Sequence, residues 1–184
     1  FIGPSTISLE LKHLINNEDS INIHKYYSVT DKADGERHLL YIANNGKIYL
    51  IDINLNIKFT GCKVNNKKIY NTILDGELIL HNKKGDYINQ FLVFDLYFIN
   101  KEDYRMYPLY NAPNMKYKKE IDKKKFRLNM LNAIIQALTL KNGLVSVVPN
   151  KSPSMKIDAK TFYNNINNSI YSQCNQILNK NKDQ

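Results

Sequence analysis

Between residues 26 and 99 the chain is a succession of short apolar runs separated by turn formers, and that pattern confines it to a largely antiparallel sheet. The runs 26–29, 37–42, 48–51, 57–61, 72–81 and 91–99 have the length and the β-branched and aromatic content of strands. Asp34-Gly35 predicts a tight turn between the first two, and Asn45-Gly46 a two-residue hairpin between the next two. Lys83-Lys84-Gly85-Asp86 predicts the turn between the last two.

Helical spacing flanks this region. Leu9, Leu11, Leu14 and Ile15 predict a helix over 8–16 with Ser8 as its cap. Residues 104–119, rich in Tyr, Pro, Asn and Lys, read as an exposed connection. Phe126, Leu128, Met130, Leu131, Ile134, Ile135 and Leu138 predict a helix over 123–140, stopped by Asn142-Gly143. A strand over 144–148 ends at Pro149. A last helix is predicted over 158–180, with Phe162, Ile166, Ile170, Cys174 and Ile177 on one face. With 184 residues, 43% of them hydrophobic, the chain can bury one substantial core, so an α+β domain over 1–184 is expected.

The most chemically informative stretch is Lys32-Ala33-Asp34-Gly35-Glu36-Arg37. A lysine can act as a nucleophile only when its amine is deprotonated, which partial burial and a nearby cation such as Arg37 would both favour. Asp34 fits the role of ordering the turn, and Gly35 that of admitting a close backbone approach. Downstream, Leu74-Asp75-Gly76-Glu77-Leu78-Ile79 and Phe91-Leu92-Val93-Phe94-Asp95-Leu96-Tyr97 each set carboxylates in an apolar run. A formal net charge of +9 suits a polyanionic partner such as RNA or a nucleoside triphosphate. Two cysteines, Cys62 and Cys174, without metal-ligand spacing point to a reducing compartment and away from structural zinc. The most apolar run, 91–99, is too short to span a bilayer and is broken by Asp95, so no membrane partner is expected. Phe1 in place of an initiator methionine implies that the chain comes from something longer.

In that order and with those gaps, the three segments resemble motifs I, III and IIIa of the covalent nucleotidyltransferases, the superfamily of mRNA capping guanylyltransferases and ATP-dependent DNA and RNA ligases. Within it the chain is most similar to the capping enzymes of large cytoplasmic DNA viruses. The opening Gly3-Pro4-Ser5-Thr6-Ile7-Ser8-Leu9 resembles their Gly-x-x-Pro-Val-Ser segment, with the proline earlier and the usual Gln-Pro pair absent. The resemblance implies a ligase/capping-enzyme domain, ATP-grasp-like, in which Lys32 carries the nucleotide as a lysyl-nucleoside monophosphate.

It further implies that Arg37 contacts the ribose hydroxyls, that Glu77 contacts ribose and a divalent ion (Mg2+ or Mn2+), and that Phe94 stacks on the purine. For Glu77 the alternative is an outward strand residue, and for Phe94 core packing. Asp75 and Asp95 are expected as turn or supporting residues. Lys160, in Met155-Lys156-Ile157-Asp158-Ala159-Lys160-Thr161-Phe162, resembles the Lys-x-Phe segment near the base; the alternative is a surface lysine at a helix start. The implied reaction is transfer of GMP from GTP to a 5′-diphosphate RNA end, with ATP-dependent ligation or a non-catalytic module as alternatives. RNA triphosphatase and cap methyltransferase domains or subunits are the implied partners, and a cytoplasmic site, viral factory or virion, the implied location. The family's Asp/Glu-Gly-Leu-Ile and Lys-x-Lys strands are not found before Gln184, so the domain is expected to be incomplete at its C-terminus.

Overall fold

The structure, a computed structural model, describes residues 3–4, 6–17, 22–24, 26–111, 125–140, 143–164 and 169–182. In chain order the elements are α1 (Leu11–Leu14), β1 (Ser28–Val29), β2 (Glu36–Ile42), β3 (Lys47–Ile51), β4 (Ile57–Val64), a 3-10 turn (Lys67–Ile69), β5 (Thr72–His81), β6 (Tyr87–Ile99), β7 (Glu102–Asp103), α2 (Arg127–Thr139), β8 (Leu144–Ser146), β9 (Lys156–Ala159), β10 (Tyr163–Asn164) and α3 (Ile170–Lys182). They fall into two compact units. The larger contains 33–111 and the described residues of 125–160; the smaller contains the described residues up to Lys32 and from Thr161 onward.

The larger unit is a mostly antiparallel sheet in the order β7-β6-β5-β2-β3-β4-β8, with β9 added in parallel beside β6. Leu40 faces Leu50 of β3 and Leu74 of β5 in register, so one sheet face is continuous hydrocarbon. That face carries Leu40, Ile42, Ile48, Leu74, Val93 and Leu96, and joins Leu131, Ile134, Ile135 and Leu138 of α2 in one core. Each fully buried side chain of this kind contributes about 1.5–3 kcal/mol. Because side chains alternate along a strand, Arg37, Leu39 and Tyr41 point to the opposite face.

β6 is longer than the strand it lies against. Opposite Ile73 and Leu74 its partners jump from Phe98 to Leu96, and opposite Asp75 and Gly76 from Asp95 to Val93. Tyr97 and Phe94 are thus the extra residues of two irregularities, which re-aim side chains as β-bulges do. At Gly76 an added Cβ would lie 2.6 Å from the Phe91 ring and 2.8 Å from the Leu92 carbonyl. Gly76→Ala is therefore expected to destabilise the unit by about 1–3 kcal/mol, read as a lower urea midpoint; an unchanged midpoint would show that the Phe91 ring can yield.

Several expectations are corrected. Strands 26–29 and 37–42 do not form a hairpin: β1 pairs with β10 in the smaller unit, whereas β2 pairs with β3 and β5. The β2–β3 connection is a four-residue turn, 43–46, in which the Gly46 amide donates to the Ala43 carbonyl at 3.0 Å and Gly46 takes φ +80°. Helix 8–16 contracts to α1, capped by Glu10 with His13 rather than by Ser8, and none of its residues is buried. Helix 158–180 is also replaced. Its first part supplies β9, because Ile157 enters the core beside Phe91 and the backbone pairs with β6. Tyr163 and Asn164 form β10, and only α3 is helical, with Ile170 and Ile177 buried. Ile166 lies outside the described residues. Tyr104, placed in an exposed connection, is 4% exposed, and its amide donates to the Tyr97 carbonyl at 2.8 Å.

Candidate active site

The polar face of the larger unit is assembled by strand register. β2 and β5 set Arg37 opposite Glu77 and Leu39 opposite Asp75, so Arg37 and Asp75 are diagonal neighbours on one face, within reach of a long side chain. Arg37 uses that reach: its Nε donates to Asp75 Oδ1 at 3.2 Å and its Nη2 to Oδ2 at 2.6 Å. The Asp75 side chain is fully buried, and a buried carboxylate is tolerable only when paired. Two parallel charge-assisted bonds also fix the plane of the guanidinium. Hydrogen bonding to Asp75 holds Arg37 above its ordinary pKa against the opposing effect of burial. Asp75 is thus not a turn residue; it sits mid-strand and anchors Arg37.

Phe94 lies beside this pair, half-buried on the side away from the core residue Val93. Arg37 Cζ and Lys160 Nζ are each 5.8 Å from its ring centroid, within range of a cation–π contact. Lys160 reaches the ring because its amide donates to the Val93 carbonyl at 2.7 Å, continuing the β9–β6 pairing by one residue. Lys160 therefore stands at a strand end and not at a helix start. Lys156, at the other end of β9, is exposed and pairs with Asp158 at 3.1 Å.

Glu77 is half-exposed on β5, and the Gly35 amide donates to its Oε1 at 3.3 Å. A Cβ on Gly35 would lie 2.5 Å from the Leu78 carbonyl, so only glycine lets this segment lie so close to β5. The close approach is to β5, and Asp34-Gly35 closes no hairpin. Asp34 is exposed. Lys32 is also exposed, not partly buried; it ends the smaller unit, and the next residue, Ala33, is buried in the larger one.

Asp95 serves packing. Arg127 Nη1 donates to its Oδ1 at 2.7 Å and Oδ2 at 2.5 Å, and the Leu96 amide donates to Oδ1 at 2.7 Å. Burial pushes this carboxyl above its ordinary range, with Arg127 opposing. The pair ties β6 to α2 rather than forming a turn. Sequence reasoning passed over Arg127 and Tyr97; the only signal for either was the requirement that a carboxylate on an apolar strand have a donor, which does not say where the donor comes from. Among the described residues no group of three or more His, Cys, Asp or Glu side chains is arranged to hold a metal ion, and no helix is long and apolar enough to cross a membrane.

A mostly antiparallel sheet that gathers an anchored arginine, a carboxylate and an aromatic ring flanked by cations has the elements of a nucleotide-handling domain. The sequence profile of the mRNA capping enzyme catalytic domain matches residues 1–171, and the chain belongs to that family. It is 32% identical over 180 residues to a protein described as a probable mRNA-capping enzyme from Acanthamoeba polyphaga mimivirus. That alignment takes in 97% of this chain and 14% of the relative.

Proposed function

We propose that the chain is the guanylyltransferase domain of an mRNA capping enzyme. The observation that carries this reading is the convergence of Arg37, Glu77, Phe94 and Lys160 on one sheet face, with Lys32 five residues before Arg37 in a Lys-x-Asp-Gly sequence. Phe94 offers its ring to the purine, and the two cations beside it suit a polyanionic nucleotide. Base stacking of this kind contributes about 1–3 kcal/mol. Arg37, its orientation fixed by the bidentate bond to Asp75, turns its guanidinium toward the ribose hydroxyls. Lys160 stands at the base side of the ring.

The neutral Nζ of Lys32 attacks the α-phosphorus of GTP. The bond to the bridging oxygen breaks, pyrophosphate leaves with its electron pair, and the lysine proton passes to solvent. The resulting lysyl-GMP is then attacked by the terminal phosphate oxygen of a 5′-diphosphate RNA end; the P–N bond breaks, GMP passes to the RNA, and the lysine leaves as the amine with a proton taken up from solvent. Glu77 is the protein carboxylate that would help hold a divalent ion (Mg2+ or Mn2+), since magnesium is commonly bound by one or two carboxylates plus substrate phosphates. Such an ion, when bound, supplies neutralisation of the phosphate charge. In this reading the sheet is an ATP-grasp-like nucleotidyltransferase core of a multifunctional protein. A cytoplasmic viral setting, with RNA triphosphatase and cap methyltransferase activities alongside, accompanies it.

The test is incubation of the full protein with α-labelled GTP or ATP and a divalent metal, followed by a denaturing gel. Covalent label from GTP alone is expected. Label from ATP alone would favour a ligase, and label from neither would favour a non-catalytic module. In the same assay Phe94→Leu should raise the GTP concentration needed for half-maximal labelling roughly tenfold while leaving the saturated rate near wild type, because a lost stack weakens ground-state binding more than chemistry. An unfolded variant without a separable binding defect would return Phe94 to the core.

A further inference from the structure

We infer that Tyr97 is a positioning residue that sets Arg37 for the nucleotide sugar and so contributes to selection of a hydroxylated ribose; the inference rests on the guanylyltransferase reading and extends it. The Tyr97 side chain is 1% exposed, and its hydroxyl donates to Asp75 Oδ2, the same oxygen that receives Arg37 Nη2 at 2.6 Å. Arg37 Nη2 also lies 3.4 Å from the Tyr97 oxygen. The three groups close a triangle in which the phenol donates to the carboxylate and faces the guanidinium as an acceptor. Burial, then the hydrogen bond to Asp75, pushes the phenol above its ordinary pKa, so it keeps the proton it donates.

The placement is specific. Tyr97 is the extra residue of the β6 irregularity opposite Ile73 and Leu74, and a bulge at that point re-aims a side chain that regular alternation would send elsewhere. A site needing only hydrophobic filling would be served as well by phenylalanine. A hydroxyl there instead gives the Asp75 carboxylate a donor that is independent of Arg37. The carboxylate is thereby held by the sheet itself, and the arginine is oriented against a fixed anchor. Hydrogen bonds to charged groups are among the stronger ones in proteins, so removing this one should loosen Arg37 measurably.

The experiment compares wild type, Tyr97→Phe, Arg37→Gln and the double variant of the full protein, using equilibrium binding of GTP and of 2′,3′-dideoxy-GTP together with lysyl-GMP formation. For Tyr97→Phe we expect GTP binding weaker by roughly fivefold to tenfold, dideoxy-GTP binding unchanged, and the labelling rate at saturating GTP close to wild type. In the Arg37→Gln background the same substitution should have no further effect on GTP binding, because the two residues act as one unit. Equal loss for both nucleotides, or a loss that persists without Arg37, would overturn the inference while leaving the guanylyltransferase reading in place. A wild type that neither binds GTP nor accepts label overturns that reading and the inference with it. Should Tyr97→Phe fail to fold, Tyr97→Leu and Tyr97→Met, which also remove the hydroxyl and leave the Arg37–Asp75 pair its own atoms, carry the same comparison.

Discussion

Lys32→Arg in the full protein is expected to abolish covalent labelling by GTP while leaving the fold unchanged. Lys32 is exposed, so arginine meets no steric obstacle and no buried partner is lost. The charge is retained, but a guanidinium, far more basic than an amine, offers no neutral nitrogen for attack on phosphorus. The measurement pairs a denaturing gel after incubation with α-labelled GTP with the circular dichroism spectrum and thermal midpoint of the variant. Labelling should fall below detection while the midpoint stays within about 1 °C, since exposed substitutions away from special features are within roughly ±0.5 kcal/mol. Label that persists on the variant would remove Lys32 from the reaction.

The parts of the fold that were legible are those in which local chemistry and tertiary demand agree. β2, β3, β5 and β6 lie where alternation and β-branched content put them, because each turns an apolar face into the core. α2 was legible for the same reason, its Leu131, Ile134, Ile135 and Leu138 forming a 3.6-residue stripe against that core. The region after 155 misled because Phe162, Ile166, Ile170, Cys174 and Ile177 can be threaded on a helix, whereas the open edge of β6 claims Lys156–Ala159 as a parallel strand. Pairing with a strand more than sixty residues away leaves no local trace. The turn at Asp34-Gly35 misled similarly: the glycine is required, but by the Leu78 carbonyl and not by a hairpin.

In the site, the residue types and their order were legible and the connections were not. Arg37, Glu77 and Phe94 stood out as a cation, a carboxylate and an aromatic in ordered strand-like runs. That Asp75 grips Arg37 depends on a diagonal across two strands. That Tyr97 joins them depends on β6 carrying one residue more than β5 over the same stretch. Register and bulges emerge only when whole strands are matched, so they stay hidden until the sheet is assembled.

Glu77 carries the second large expected effect. Both Glu77→Ala and Glu77→Gln should lower the rate of lysyl-GMP formation by about a hundredfold or more, the scale at which removing a single preorganised electrostatic group acts on a charged transition state. The two variants separate chemistry from architecture. Glutamine keeps a side-chain oxygen that can accept from the Gly35 amide, now at 3.3 Å from Oε1, so the approach of residues 33–35 to β5 is preserved and only the negative charge is lost. Alanine removes both. If Glu77 acts through its charge, on the ribose and the phosphate-bound metal, the two variants fall to similar rates, and raising the Mg2+ or Mn2+ concentration partly restores each. If its role is to hold Gly35 against the sheet, glutamine retains most of the wild-type rate and alanine alone is impaired, with a lower thermal midpoint. Single-turnover labelling across a metal titration, with thermal unfolding of both variants, decides between the two: similar rates for Ala and Gln place the carboxylate in the reaction, and near-wild-type labelling by Glu77→Gln would take it out.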